Sequence, residues 1–411
     1  MPNLDLEFVR KQFPAFSEPS LEGFAHFENA GGSYACGAVI DRLNSHYRKS
    51  KLQPYYDFEP SRSLGQEMDR ARQRMAAWLN LEPEEVHFGP STTQNTYVLG
   101  QALRGVLRPG DEIIVTNQDH EANIGAWRRL EADGAVIREW QVDPDSGELD
   151  PAGLDRLLTD RTRVVAFTHC SNIVGSIHPV PDWTARVHQA GALAIVDGVA
   201  CCPHGLPDVA ALGADVYTFS LYKVYGPHLG LMAMRRPVNK QLPNQGHFFN
   251  ADKPTARFTP AGPDHVQIAS VNGLMDYLEA VHDHHFPNPD AALADKAGRV
   301  RQLFQDRERS LLQPLLDFIA AHPRTRLIGK DSTDDRAPTV SFGVEGQTPA
   351  RLASKLGEER IGVGVGHCYA YRLVEALGMN PEVGVLRVSF VHYTSEAEVT
   401  RLIEALERLL A

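Results

Sequence analysis

This chain has no membrane-length apolar run: no stretch of its 411 residues reaches the roughly 18 apolar residues that a spanning helix needs. The start, Met1-Pro2-Asn3-Leu4-Asp5, lacks the basic-then-apolar order of a secretory signal. Positive charge is in deficit, with Lys+Arg 41 against Asp+Glu 52 and a formal net charge of −11, so nucleic acid is not expected as the main partner. Cysteine is scarce and odd in number: Cys36, Cys170, Cys201, Cys202 and Cys368. With one adjacent pair and no CxxC, these form neither a disulfide framework nor a zinc pattern, and no metal is expected. A reducing, cytoplasmic setting fits. P-loop and dinucleotide fingerprints, internal repeats and low-complexity tracts are all missing.

The composition, 43% apolar and 23% charged, is that of a globular chain with a large core and two domains. From Val86 a regular alternation begins. Apolar strands are expected at Val86–Phe88, Glu112–Val115, Val136–Trp140, Val164–Thr168, Leu193–Asp197 and Val216–Ser220. Helices are expected between them at Thr93–Leu103, Ala122–Asp133, Pro151–Leu158, Val180–Ala190 and Val209–Leu212. Near-continuous apolar strands separated by helices mean a parallel sheet covered on both faces, an α/β fold. Ligands in such sheets sit beyond the carboxyl ends of the strands. The polar, proline-broken segment His282–Pro289 reads as a solvated turn and marks the boundary. It separates a large domain, residues 17–285, from a smaller α+β domain, residues 286–411 with the arm 1–16. The latter opens on a helix, Ala291–Ala321, expected to be interrupted at Pro314, and closes on a helix led by the capping box Ser395/Glu398.

Three strand ends carry chemistry. Asp197 ends an apolar strand before Gly198; it aims a carboxylate into the ligand crevice or caps a turn. Lys223 follows Val216–Ser220 and lies between Tyr222 and Tyr225; it is a solvated charge, or an amine desolvated toward the neutral form that an imine-forming lysine needs. Ser91-Thr92-Thr93 open a helix, as an ordinary N-cap or as an anion cradle built from free N–H groups. Together an anion cradle, a strand-end carboxylate and a lysine one strand later are the parts that pyridoxal 5′-phosphate requires, for its phosphate, its ring nitrogen and its imine.

Seven motifs, in order, carry a resemblance: Phe27-Glu28-Asn29-Ala30-Gly31-Gly32, Ser91-Thr92-Thr93-Gln94-Asn95, Asp119-His120-Glu121-Ala122-Asn123, Ser171-Asn172-Ile173-Val174-Gly175, Val196-Asp197-Gly198, Ser220–Pro227 and Leu386-Arg387-Val388-Ser389. From about Phe27 onward the chain resembles the class V aminotransferase-like family of fold type I pyridoxal-phosphate enzymes, in particular its cysteine desulfurase and selenocysteine lyase branch. The resemblance implies a large α/β domain with a mostly parallel seven-stranded sheet plus a smaller α+β domain. It implies that Lys223 is the Schiff-base lysine, Asp197 the pyridinium partner and His120 the histidine stacked on the ring, with a share in acid–base steps. Asn172 would lie near the ring hydroxyl, and Ser91, Thr92, Thr93 and Ser220 at the phosphate, with Tyr222 beside the lysine. Asn29 and Arg387 would hold the substrate, Arg387 by its carboxylate.

Departures from the branch point to a divergent, cysteine-desulfurase-like subgroup. Ala200 stands where these enzymes have glutamine, and Tyr222 where they have histidine before the lysine. Pro263 falls where the neighbouring subunit would offer a hydroxyl to the phosphate. The implied function is cleavage of the C–S or C–Se bond of cysteine or a related β-substituted amino acid, in a homodimer. Epimerisation, transamination and a catalytically dead relative are the alternatives. Cys368 follows Gly362-Val363-Gly364-Val365-Gly366-His367, read as a glycine-rich loop. It is either the nucleophile that carries away the sulfur, its thiolate favoured by His367, or an incidental residue of the pocket.

Overall fold

The structure, a computed structural model, describes residues 2–411. The apolar runs become the interior of a seven-stranded sheet. Its spatial order is Val86–Gly89, Gly230–Met234, Val216–Ser220, Leu193–Asp197, Thr162–Thr168, Glu112–Thr116 and Val136–Trp140. The last five are mutually parallel, and Gly230–Met234 runs antiparallel to both its neighbours. Glu112–Thr116, Leu193–Asp197 and Val216–Ser220 are buried almost throughout because helices cover both faces. Val136–Trp140 has a neighbour on one side only, and there burial alternates and Arg138 and Glu139 blunt the edge.

A second, five-stranded sheet has the order Ala25–Phe27, Ile361–Gly366, Val385–Ser389, Thr339–Val344 and Thr325–Ile328. Ala25–Phe27, counted with the large domain in the sequence, is its edge strand and pairs in parallel with Ile361–Gly366. The glycine-rich segment is therefore not a loop but a strand. Its glycines admit close neighbours: a Cβ on Gly362 would fall 2.6 Å from the Phe24 ring, and one on Gly364 would fall 2.8 Å from Oε1 of Glu28.

Three other expectations need correction. Helix Leu293–Ala321 runs unbroken through Pro314. Proline inside a helix costs roughly 3 kcal/mol. Here Leu311, Leu312, Leu315, Leu316 and Ile319 anchor the same turns in the core of the second sheet, and each such burial contributes roughly 1.5–3 kcal/mol. The first half of this helix, through Val300, Leu303 and Phe304, packs in the core of the large sheet. Residues 122–133 form three short helical pieces rather than one helix, divided at Ile124 and Arg129 and ended by left-handed Gly134. The histidines at 282–285 are not a solvated turn but the last turn of helix His265–His285. His282 is fully buried against Asp283, and His284 stacks on Phe8 at 3.8 Å. Among the described residues no three His, Cys, Asp or Glu converge as a metal site, and no helix is long and apolar enough to cross a membrane. The closing helix Glu396–Leu410 carries the expected capping box between Ser395 and Glu398.

Candidate active site

The carboxyl ends of five strands of the large sheet deliver the site. Val86–Gly89 leads to Ser91–Thr93, Glu112–Thr116 to His120, Thr162–Thr168 to Asn172, Leu193–Asp197 ends on Asp197, and Val216–Ser220 runs into Lys223. All nine residues that the resemblance assigns to the cofactor line one cavity.

Lys223 is 7% exposed, and among the described residues its Nζ makes no hydrogen bond; it lies 5.9 Å from the centre of the Tyr222 ring. Burial, aided by the nearby Arg387 cation, brings its pKa down to about 8, while Asp197 and Glu28 pull the other way. Below pH 8 the native state thus holds this amine mostly protonated. The rate at which cofactor-free protein takes up pyridoxal phosphate is expected to rise about tenfold per pH unit up to about pH 8 and then level off, as stopped-flow absorbance will measure.

Asp197 is 4% exposed, and its Oδ1 accepts the N–H of Val199 at 2.8 Å. Burial raises it to about 6, against that hydrogen bond and the Lys223 charge. Across the cavity, helix Thr92–Arg104 starts at Ser91, which caps it by accepting the N–H of Gln94 at 3.1 Å. Thr92 Oγ1 lies 2.8 Å from Ser220 Oγ, so two hydroxyls and open helix N–H groups face the same space. Gly230 makes this possible: a Cβ there would fall 2.4 Å from the Thr92 nitrogen. His120 Nδ1 accepts the N–H of Ala122 at 3.0 Å, which leaves the proton of the neutral ring on Nε2. Burial, with the Lys223 and Arg387 charges, pushes this histidine down to about 3, so it is neutral across the physiological range.

The residues present fit pyridoxal phosphate. The buried amine, the carboxylate with an oxygen not taken by Val199, and the anion cradle kept open by Gly230 match its aldehyde, ring nitrogen and phosphate. Comparison with known proteins agrees. The profile described as Aminotransferase class-V matches residues 25–278 and 297–402. The chain belongs to the class-V aminotransferase family. Membership makes it a pyridoxal-phosphate-dependent enzyme. It is 36% identical to an aminotransferase-like protein of Gibberella zeae, over 99% of both chains. A cysteine desulfurase-like protein of Aspergillus flavus is 30% identical, over 99% of this chain and 91% of that one. The apo structure of a cysteine desulfurase from Thermococcus onnurineus superposes with a TM-score of 0.86 at 23% identity, over 100% and 99% of the two chains, which shows the shared type I fold.

In this class-V enzyme the remaining residues named from the sequence, Asn29, Arg387 and Cys368, do not line that cavity, although Arg387 and Cys368 both touch Asn172. Asn29 is 1% exposed; its amide nitrogen donates to the carbonyls of His26 and Ser389, and its amide oxygen accepts from the hydroxyl of Tyr393. Arg387, on Val385–Ser389, donates from Nη1 to the Asn172 carbonyl at 3.1 Å and from Nη2 to Glu28. Cys368 does not line the cavity and sits in a tied-down turn. Both it and Tyr369 have left-handed backbones, φ 46 and φ 61. Asn172 Nδ2 holds the Cys368 carbonyl at 2.9 Å, and the Tyr369 carbonyl accepts the N–H of Glu121 at 2.8 Å. Burial raises the Cys368 thiol, with the Glu28 charge adding to it and Arg387 and Lys223 opposing; the neighbouring His367 is turned to the backbone, its Nδ1 accepting the N–H of Tyr369.

Sequence reasoning gave no role to His228 or Glu28. His228 lines the cavity and stacks on Tyr222, 4.6 Å between ring centres and 5° between planes. Its only sequence signal is its place in the turn after Lys223. Glu28 was visible as a carboxylate inside a quoted motif, but its partner lies 359 residues away.

Proposed function

We propose that the enzyme cleaves the C–S bond of cysteine or a related β-substituted amino acid by elimination, without passing sulfur to Cys368. The tied-down turn at Cys368 carries this choice within the class. A sulfur-carrying cysteine needs a mobile, thiolate-prone side chain, whereas this one has an anchored backbone and a thiol raised by burial.

When bound, pyridoxal phosphate supplies an electron sink for the substrate's Cα. The chain's residues then divide the work. Lys223 Nζ, shielded from water, takes the Cα proton. Asp197 holds a proton at the ring nitrogen through its charge. Thr92, Ser220 and the helix N–H groups hold the phosphate. His120, neutral with Nε2–H, offers a hydrogen bond to the departing sulfur, which leaves as hydrosulfide or thiolate. Arg387 takes the substrate's carboxylate in its fork. Elimination releases the sulfide and leaves an enamine, which takes up one water from solvent to give pyruvate and ammonia. We further propose that the enzyme acts as a homodimer.

Purified protein given L-cysteine is expected to release pyruvate and sulfide. The Cys368→Ala variant should do so within about twofold of wild type, a change expected where no reacting group is lost. Alanine as the product, lost in Cys368→Ala, would overturn this reading in favour of a desulfurase that carries a persulfide.

A further inference from the structure

Arg387 is 4% exposed, so its guanidinium is held by the protein groups around it. Nη1 is taken by the Asn172 carbonyl at 3.1 Å. Nη2 is taken by Oε1 of Glu28, while Nε is buried without a partner. The fork that a planar carboxylate would grip is thus already half occupied, by a carboxylate the protein supplies itself.

That occupant has a built seat. Glu28 follows Ala25–Phe27, the edge strand, and the Glu28 backbone bridges to Ser389, two residues beyond Arg387. Two glycines leave room for its side chain. A Cβ on Gly31 would fall 1.8 Å from Oε2, and one on Gly364 would fall 2.8 Å from Oε1 and 3.3 Å from Nε of Arg387. Neither glycine has a left-handed backbone, so space alone explains their lack of a side chain. Its side chain is 30% exposed and so has solvent to swing into.

We propose that Glu28 is an internal stand-in for the substrate carboxylate, which holds Arg387 in the empty site and has to be displaced when an amino acid binds. The inference rests on Arg387 receiving the substrate carboxylate, as proposed above. Glu28 is then a positioning and specificity residue. A simple carboxylate must compete with a tethered one. An amino acid gains a second attachment through its amine and can win the exchange. The site thereby excludes small organic acids that share the carboxylate but lack the amine.

Two fragments of cysteine separate the possibilities on cofactor-loaded protein, by titration calorimetry. 3-Mercaptopropionate keeps the carboxylate without the amine, and cysteamine keeps the amine without the carboxylate. In Glu28→Gln, 3-mercaptopropionate is expected to bind about tenfold tighter than in wild type, the scale of one partly exposed ion pair removed from competition, and cysteamine within about twofold of wild type. Glu28→Ala should likewise tighten 3-mercaptopropionate and leave cysteamine within about twofold, and it guards against a new contact from the glutamine. Unchanged or weaker 3-mercaptopropionate binding in both variants would overturn the proposal. So would weaker cysteamine binding, which would make Glu28 a receptor for the ammonium group. Arg387→Gln tests the underlying reading separately. It should abolish the gain from Glu28→Gln and weaken 3-mercaptopropionate in either background; unaltered binding would remove Arg387 from carboxylate recognition, and the proposal with it.

Discussion

Lys223→Ala is expected to lose the visible absorption band of the lysine-bound cofactor, to yield no borohydride-trapped adduct, and to lose turnover by roughly 10³-fold or more. The size of the effect follows from the position. Lys223 follows the strand Val216–Ser220 in a short helical turn, is 7% exposed, and has its ammonium form disfavoured so that its pKa lies near 8. Among the described residues no other lysine lines the cavity, so none is placed to take over either the covalent attachment or the proton transfer. The substitution also removes the cation that helps hold His120 neutral. Survival of the absorption band and the trapped adduct in the variant would put the attachment elsewhere and sink the assignment.

Asp197→Asn is expected to keep the fold and lose roughly 10²–10³ in kcat, the scale of removing one preorganised charge from a dry site. The amide can still accept the Val199 N–H but no longer offers a negative charge to a protonated ring nitrogen. A stability control separates this loss from misfolding. Burial raises the native pKa of Asp197 to about 6 from an ordinary 3.8. The native state then binds the proton more tightly than the unfolded state, so stability falls as pH rises through that window. The cost, at most about 3 kcal/mol, is complete above pH 6. The Asn variant of the cofactor-free protein should therefore melt no lower than wild type at pH 7, and its advantage should shrink as the pH is lowered toward 4. A variant that melts lower at pH 7 would show that the carboxylate is needed structurally, and the kinetic loss would then say nothing about the ring nitrogen.

What the sequence made legible follows physical range. Apolar runs such as Leu193–Val196 and Val216–Phe219 carry their burial on their face, and the residues just past them fall in the crevice by topology alone. So Asp197, Lys223 and the Ser91–Thr93 cradle could be read one element at a time. Pairings across the chain were not legible. Glu28 meets Arg387 only because Ala25–Phe27 leaves the large unit and joins the second sheet. Nor does a one-dimensional motif tell that Asn29 is buried against His26, Ser389 and Tyr393 while the side chain of its neighbour Glu28 reaches Arg387. Gly362–Gly366 looked like a loop because glycine is read as flexibility; in the structure it serves close approach. Pro314 looked like a break because its local cost is visible in the sequence and the compensating apolar stripe belongs to tertiary structure.

The helix Leu293–Ala321 has a mechanical consequence. Its first half is embedded in one apolar core and its second half in the other, while Lys223 stands on the sheet of the first and Arg387 on the sheet of the second. The helix thus ties together the two cores beneath the amine and the guanidinium, so a substitution that loosens its packing is expected to disturb the footing of both at once.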